Sequence, residues 1–109
     1  MRLIKAIVRP SKVDEVKDAV GKLGVSGVTV TEVRGHGKQK GHTAIYRGQE
    51  YQVSLLPKME IEIVVPDEIV DEVVKVVSDA ARTGEIGDGR VFVMPVERSY
   101  RIRTGEREA

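Results

Sequence analysis

One pattern occurs twice in this sequence, and its recurrence predicts an α+β fold. Ile7-Val8-Arg9-Pro10 with Val13-Asp14-Glu15-Val16 is echoed by Ile63-Val64-Val65-Pro66 with Val70-Asp71-Glu72-Val73, one residue being inserted in the second copy. In each, a strand pattern ends at a proline and gives way to apolar residues at helical spacing. A further strand pattern follows each helix, so β-α-β is written twice. Two such halves predict a ferredoxin-like βαββαβ sandwich, an antiparallel sheet with both helices on one face. The third observation is the stretch between the halves, Gly35 to Lys58, which keeps no steady period. Connections this long are uncommon in compact domains and are usually functional or disordered. Ile45, Tyr46, Tyr51, Val53, Leu55 and Leu56 give it too much apolar and aromatic matter for a solvated linker. It is expected to be a long protruding loop between strands 2 and 3, a two-stranded arm of about nine residues a side reaching roughly 30 Å. An ordinary hairpin with a loose loop is the plainer alternative.

The first strand, residues 2–9, puts Ile4, Ala6 and Val8 on one face and Leu3, Lys5, Ile7 and Arg9 on the other. Pro10 stops it, and Ser11 with Asp14 reads as a helix N-cap of capping-box type. Val13, Val16, Val20 and Leu23 then recur at helical spacing until Gly24 ends the helix. Residues 28–34 form the second strand, and Lys58 to Val65 the third, closed by Pro66. Asp67 is expected to cap a second helix, whose stripe is Ile69, Val70, Val73, Val74, Val77 and Ala81. So many valines make a poor isolated helix, and packing must hold it. A glycine-rich loop at about 82–90 leads into a fourth strand, Arg90 to Val96, and a basic tail covers 97–109.

A chain of 109 residues with 40% apolar content is expected to be one domain spanning 1–109. With one Phe and no Trp, Val, Ile and Leu must fill its core. Lys and Arg number 18 against 17 Asp and Glu, a balance that calls for neither nucleic acid nor a membrane surface as partner. The absence of cysteine excludes disulfides and thiolate metal sites and fits a reducing compartment. No apolar run approaches the roughly 20 residues of a membrane span, and Met1-Arg2-Leu3-Ile4-Lys5 enters a strand at once, without a signal-peptide pattern. A small soluble cytoplasmic protein is the expectation, with no membrane insertion.

Two helices can cover one side of the sheet, taking Ile4, Ala6, Val8, Ile61 and Ile63. The opposite alternation offers Leu3, Ile7, Thr29, Val33 and Val64 among charged residues. A half-apolar face this broad suggests self-association, with closed cyclic symmetry the expected outcome.

Three segments carry the small and basic residues that an anion site needs. Gly35-His36-Gly37-Lys38-Gln39-Lys40-Gly41 lets backbone N–H groups approach a ligand and adds two lysines, without the Walker A spacing. Thr83-Gly84-Glu85-Ile86-Gly87-Asp88-Gly89, between Arg82 and Arg90, follows a helix rather than opening one, so it is no Rossmann fingerprint. Arg98, Arg101 and Arg103 stand on the tail, and Arg101 and Arg103, two apart on an extended chain, would point the same way. Each alone is weak; their convergence would make a nucleotide phosphate pocket. His36 and His42 lack a third partner at ligand spacing. Glu60 and Glu62 share one strand face, as an exposed or interface row does, and no triad order is present. The aromatic pattern of RNA-binding sheets is missing.

Thr29-Val30-Thr31-Glu32-Val33, Gly35 to Gly41, Tyr46-Arg47-Gly48-Gln49-Glu50-Tyr51, Leu56-Pro57-Lys58, the loop Thr83 to Gly89 and Arg101-Ile102-Arg103-Thr104-Gly105 occur in order and without register shifts. Together they closely resemble the PII nitrogen-regulatory signal-transduction proteins. The resemblance implies a homotrimer of ferredoxin-like subunits with nucleotide sites in the clefts between them. ATP and ADP would compete there, and 2-oxoglutarate would join ATP through Mg²⁺. It also implies an arm, or T-loop, at about 37–55 and a glycine-rich B-loop at about 82–90.

By position, Ile7, Thr29, Gly35 and Val64 would enclose the adenine. Gly37, Lys38, Gly87, Asp88, Gly89 and Arg90 would hold phosphates, with Arg101 and Arg103 reaching from the neighbouring subunit. Gln39 would ligate the magnesium beside the nucleotide. Lys58 would pair with a 2-oxoglutarate carboxylate, completed by the backbone of Gly37, Lys38, Gln39, Lys40, Gly41 and Gly87. Tyr51 falls at the family's nucleotidylation position, where uridylylation or adenylylation occurs in some lineages; a plain contact role is the alternative. Gln49 replaces the serine that some relatives phosphorylate, which excludes that modification here. Lys38 stands where Arg is common and Arg90 where Lys is common, keeping charge but changing fork geometry.

The function this implies is a regulatory binding protein, not an enzyme. It would sense ATP/ADP and 2-oxoglutarate and control ammonium transporters or nitrogen-assimilation enzymes through its arm. The alternative is a trimeric ferredoxin-like metal-binding protein or small-molecule enzyme using His36 and His42.

Overall fold

The computed structural model describes residues 1–25, 27–36, 43–46, 49–52 and 55–108; for 43–46 and 49–52 it describes the strand pairing alone. Alternating residues build β1 (Arg2–Val8), β2 (Val28–Gly35), β5 (Leu56–Val65) and β6 (Arg90–Pro95). They form a four-stranded sheet in the order β2-β5-β1-β6, antiparallel at every pairing. With α1 (Val13–Gly21) after β1 and α2 (Val70–Ala81) after β5, this is the ferredoxin-like βαββαβ sandwich. Within the arm, β3 (Thr43–Tyr46) pairs antiparallel with β4 (Gln49–Gln52), and the residues flanking these two strands lie outside the described ones.

The register explains which residues are buried. Ile4 pairs with Ile63 and with Val93, and Ala6 with Ile61 and Val91, so these side chains share one face. Val16 and Val20 of α1 and Val73 and Val77 of α2 close over them, and Ile4, Ala6, Ile61 and all four valines are fully buried. Burial of this apolar surface, at about 25 cal/mol per Å², holds the valine-rich α2 that propensity alone would not. The other face carries Leu3, Ile7, Val33, Val64, Phe92 and Met94 among Lys5, Glu60 and Glu62, with Leu3 opposite Val64 and Lys5 opposite Glu62. The expected split between the two faces is therefore present. Here Lys5 and Glu60 form an ion pair at 3.6 Å.

Three local expectations are corrected. Neither helix has a side-chain cap: a 3-10 turn at Pro10–Lys12 precedes α1, whose N-cap is Lys12, and another at Asp67–Ile69 precedes α2. The proline starts a tight turn and so shifts each helix start past the Ser11 or Asp67 that would cap it. Asp67 instead accepts a hydrogen bond from the Met1 amine at 2.6 Å. Finally, the tail is not extended. β7 (Ser99–Tyr100) pairs with β8 (Arg107–Glu108), and residues 102–104 form the turn between them. Gly105 N–H donates to the Arg101 carbonyl at 2.7 Å, which Gly105 reaches with φ +72. Hence the two-residue alternation used to align Arg101 with Arg103 does not apply.

Candidate functional site

At the end of the sheet where the arm leaves, the B-loop stretch folds back over the start of β6 and opens a cleft of 770 Å³ on the uncovered face. Ile7, Gly35, Lys58, Gly87, Asp88, Gly89 and Arg90, all chosen from the sequence, line it. His36, Leu56, Glu85, Ile86 and Phe92 complete the wall. β1 ends beside β5 and β6 here, and Arg90 sits directly across from Ile7.

The loop is shaped by one carboxylate. Asp88 Oδ2 accepts the backbone N–H groups of Thr83 and Gly84, each at 2.9 Å. Its Oδ1 accepts the Thr83 hydroxyl and, at 3.1 Å, Arg9 Nε. Those bonds, led by the Thr83 hydroxyl, hold the Asp88 carboxyl far below the usual carboxylate range. The Asp88 side chain is thus committed to the loop. Arg9 also donates to the Ile86 carbonyl at 2.9 Å, and Lys58 Nζ to the Gly87 carbonyl at 2.6 Å. With two carbonyls and the carboxylate turned toward cations at its base, the loop can present N–H groups outward, as anion-binding nests do. Burial, followed by the nearby Arg9 charge, lowers the Lys58 pKa, while Asp88 opposes the shift.

Gly89 makes this approach possible. It adopts φ +102, and a Cβ there would stand 1.7 Å from the Ile7 carbonyl oxygen. Only glycine lets the loop lie against β1.

The remaining sequence-chosen residues lie elsewhere. Thr29 and Val64 share the uncovered face but not the cleft; Val64, opposite Leu3, is roughly 13 Å along the sheet from Ile7. Arg101 and Arg103 are on the tail hairpin, beyond the far end of β6. Gly37, Lys38, Gln39, Lys40, Gly41 and His42 lie outside the described residues, as does the side chain of Tyr51. Among the described residues no group of three His, Cys, Asp or Glu could hold a metal ion. Sequence reasoning missed Arg9, which acts on a residue 79 positions away. It also missed the apolar wall of Leu56, Ile86 and Phe92. The only signal for Arg9 was a cation on the uncovered face next to a strand-ending proline.

Residues 1–106 match the sequence model of the family described as nitrogen regulatory protein P-II. The chain belongs to the P-II family. It is 56% identical over 108 residues to nitrogen regulatory protein P-II 1 of Escherichia coli, covering 99% of this chain and 96% of that one. Identity is 54% over 106 residues with the Haemophilus influenzae nitrogen regulatory protein P-II, covering 97% and 95% of the two chains. With the Rhizobium etli protein of that name it is 52% over 109 residues, covering 100% and 97%. These P-II relatives are named as regulatory proteins, not enzymes. No helix among the described residues of this P-II chain is long and apolar enough to cross a membrane.

Proposed function

We propose that this protein is a trimeric sensor that binds ATP or ADP in the cleft and 2-oxoglutarate beside Mg-ATP. In this reading it passes occupancy to target proteins, such as ammonium transporters or nitrogen-assimilation enzymes, through the arm. The observation that carries the reading is the B-loop cleft, where Lys58 and Arg90 flank a loop whose Ile86 and Gly87 carbonyls are occupied by Arg9 and Lys58. Such a cleft suits a triphosphate, which needs N–H donors and flanking cations at short range. Ile7, Leu56, Ile86 and Phe92 offer the apolar wall that a base requires. Thr29, Val64, Arg101 and Arg103 cannot join this cleft within one chain, so a neighbouring subunit supplies them. The uncovered face is the surface where those subunits meet.

Magnesium would be held by Gln39 and by oxygens of the bound anions, neutralising charge between them. Since Gln39 stands at the foot of the arm, occupancy there favours one arm pose over another, and this differential binding is what carries a signal. Tyr51, opposite Ala44 in the β3–β4 pairing, would be the residue that a nucleotidylating enzyme modifies in this reading.

Calorimetry tests the proposal. 2-Oxoglutarate heat that appears only with Mg-ATP present supports it. Binding of 2-oxoglutarate without nucleotide, or tight divalent-metal binding with no nucleotide affinity, would overturn it in favour of a metal-binding protein or small-molecule enzyme.

A further inference from the structure

We propose that Arg9 is a positioning residue for the anion site. From behind the glycine loop it clamps the Ile86 carbonyl and the Asp88 carboxylate together, and so sets the affinity for phosphate groups that it does not touch. This deepens the nucleotide reading above and rests on it. Arg9 is not among the described residues that wall the cleft. Its guanidinium is turned to the base of the loop, with Nε on Asp88 Oδ1 at 3.1 Å and Nη2 on the Ile86 carbonyl at 2.9 Å. A planar fork that holds two acceptors fixes their relative placement, which the single ammonium of a lysine cannot do. The Arg9 and Asp88 side chains are only 20% and 24% exposed, so water and salt screen this pair less than a surface pair.

The local sequence holds Arg9 in place for this. A residue before proline is kept out of the helical region, and Arg9, before Pro10, is extended at φ −63 and ψ 141. Its carbonyl accepts the Lys12 N–H at 3.0 Å, which closes the 3-10 turn. The side chain therefore leaves from a backbone fixed at the junction of β1 and α1. The loop it grips lies 77 and 79 residues further on. Asp88 in turn accepts the N–H groups of Thr83 and Gly84, so a hold on Asp88 reaches the start of the loop as well. Lys58 also donates to the loop, at the Gly87 carbonyl, but it walls the cleft and can be drawn to a ligand there. Arg9 grips the loop from a place where a bound anion does not compete for it.

Two measurements on the full-length protein test this. In amide hydrogen exchange without ligand, Arg9→Gln should speed exchange at Thr83 and Gly84 about tenfold, the loss expected for one charge-assisted bond. The amides of Ile4 and Ile61 in the core strands should keep the parent rate. In calorimetry the same variant should bind ATP about tenfold more weakly. Arg9→Lys, which keeps the charge and loses the fork, should recover only part of each loss. Asp88→Asn should also weaken ATP binding. Combined with Arg9→Gln, its effect should be smaller than the product of the two single losses, because both act through one contact. The proposal is overturned if loop exchange or ATP affinity in Arg9→Gln matches the parent, or if the core strands speed up by the same factor as the loop. Full recovery in Arg9→Lys would equally overturn it, since charge alone would then suffice. So would single losses that multiply, which would make Arg9 a direct ligand of the phosphates. A parent protein without ATP affinity would overturn the nucleotide reading, while the exchange experiment, done without ligand, still decides whether Arg9 holds the loop.

Discussion

The two faces of the one sheet are cut from the same strands and do opposite work. On β1, Ile4, Ala6 and Val8 are at most 2% exposed, while Leu3, Lys5 and Ile7, which alternate with them, are only partly buried. The covered face closes on α1 and α2 and accounts for the stability of the chain. The uncovered face ends in the cleft, and its apolar residues alternate with charges. Alternation alone thus separates residues that hold the fold from residues left open to the ligands and neighbouring subunits proposed above.

Substitutions on each face put that contrast to the test. The largest effect is expected at Gly89, where the faces are joined. A side chain there is strained by the positive φ and collides with the Ile7 backbone, so Gly89→Ala should cost about 4 kcal/mol or more in urea unfolding. It should also lose ATP binding, crossing the divide. Ile61→Ala, on the covered face, should cost about 2–5 kcal/mol and leave ATP affinity per folded molecule unchanged. A loss of affinity without a loss of stability would dissolve the distinction.

On the uncovered face the balance reverses. Val64→Asp, at a residue 48% exposed, should change single-chain stability little yet disperse the proposed trimer in sedimentation. Lys58→Ala should abolish 2-oxoglutarate binding, measured by calorimetry. Because Lys58 also donates to the Gly87 carbonyl, it should weaken ATP binding too, by about two- to fivefold, the value of one hydrogen bond.

A weaker Lys58 effect concerns pH. The folded chain holds this proton less tightly than the unfolded chain, whose value is 10.5. Stability should therefore rise with pH between the lowered value and 10.5, and Lys58→Met should flatten that rise in urea midpoints. Smallest of all is Ser11→Ala. With no side-chain cap at α1, it should stay within about 0.5 kcal/mol of the parent.

How much of this was legible in the sequence follows from the range of each interaction. The two faces, the helix stripes and the end of α1 near Gly24 are local periodicities, and they were readable. The glycine loop was readable as a candidate because its composition is unusual. Helix starts were misjudged because Ser11 and Asp67 fit a capping rule, while the neighbouring prolines impose a 3-10 turn that overrides it. The tail was misjudged because its hairpin depends on Glu108 returning to Arg101 and Ser99, a pairing no spacing rule announces. The contact between Arg9 and Asp88 spans most of the chain and exists only once the sheet has formed. Arg101 and Arg103 were readable as tail cations, and Thr29 and Val64 as members of the uncovered face, but a nucleotide role for Thr29 and Val64 came from family likeness alone.

The most direct test of the account is the mass of the wild-type protein in sedimentation equilibrium, with and without Mg-ATP. If the uncovered face is where subunits meet around an anion cleft, the particle should weigh three times the 12.0 kDa chain and bind one ATP per chain. A 12.0 kDa particle that takes up no nucleotide would contradict it.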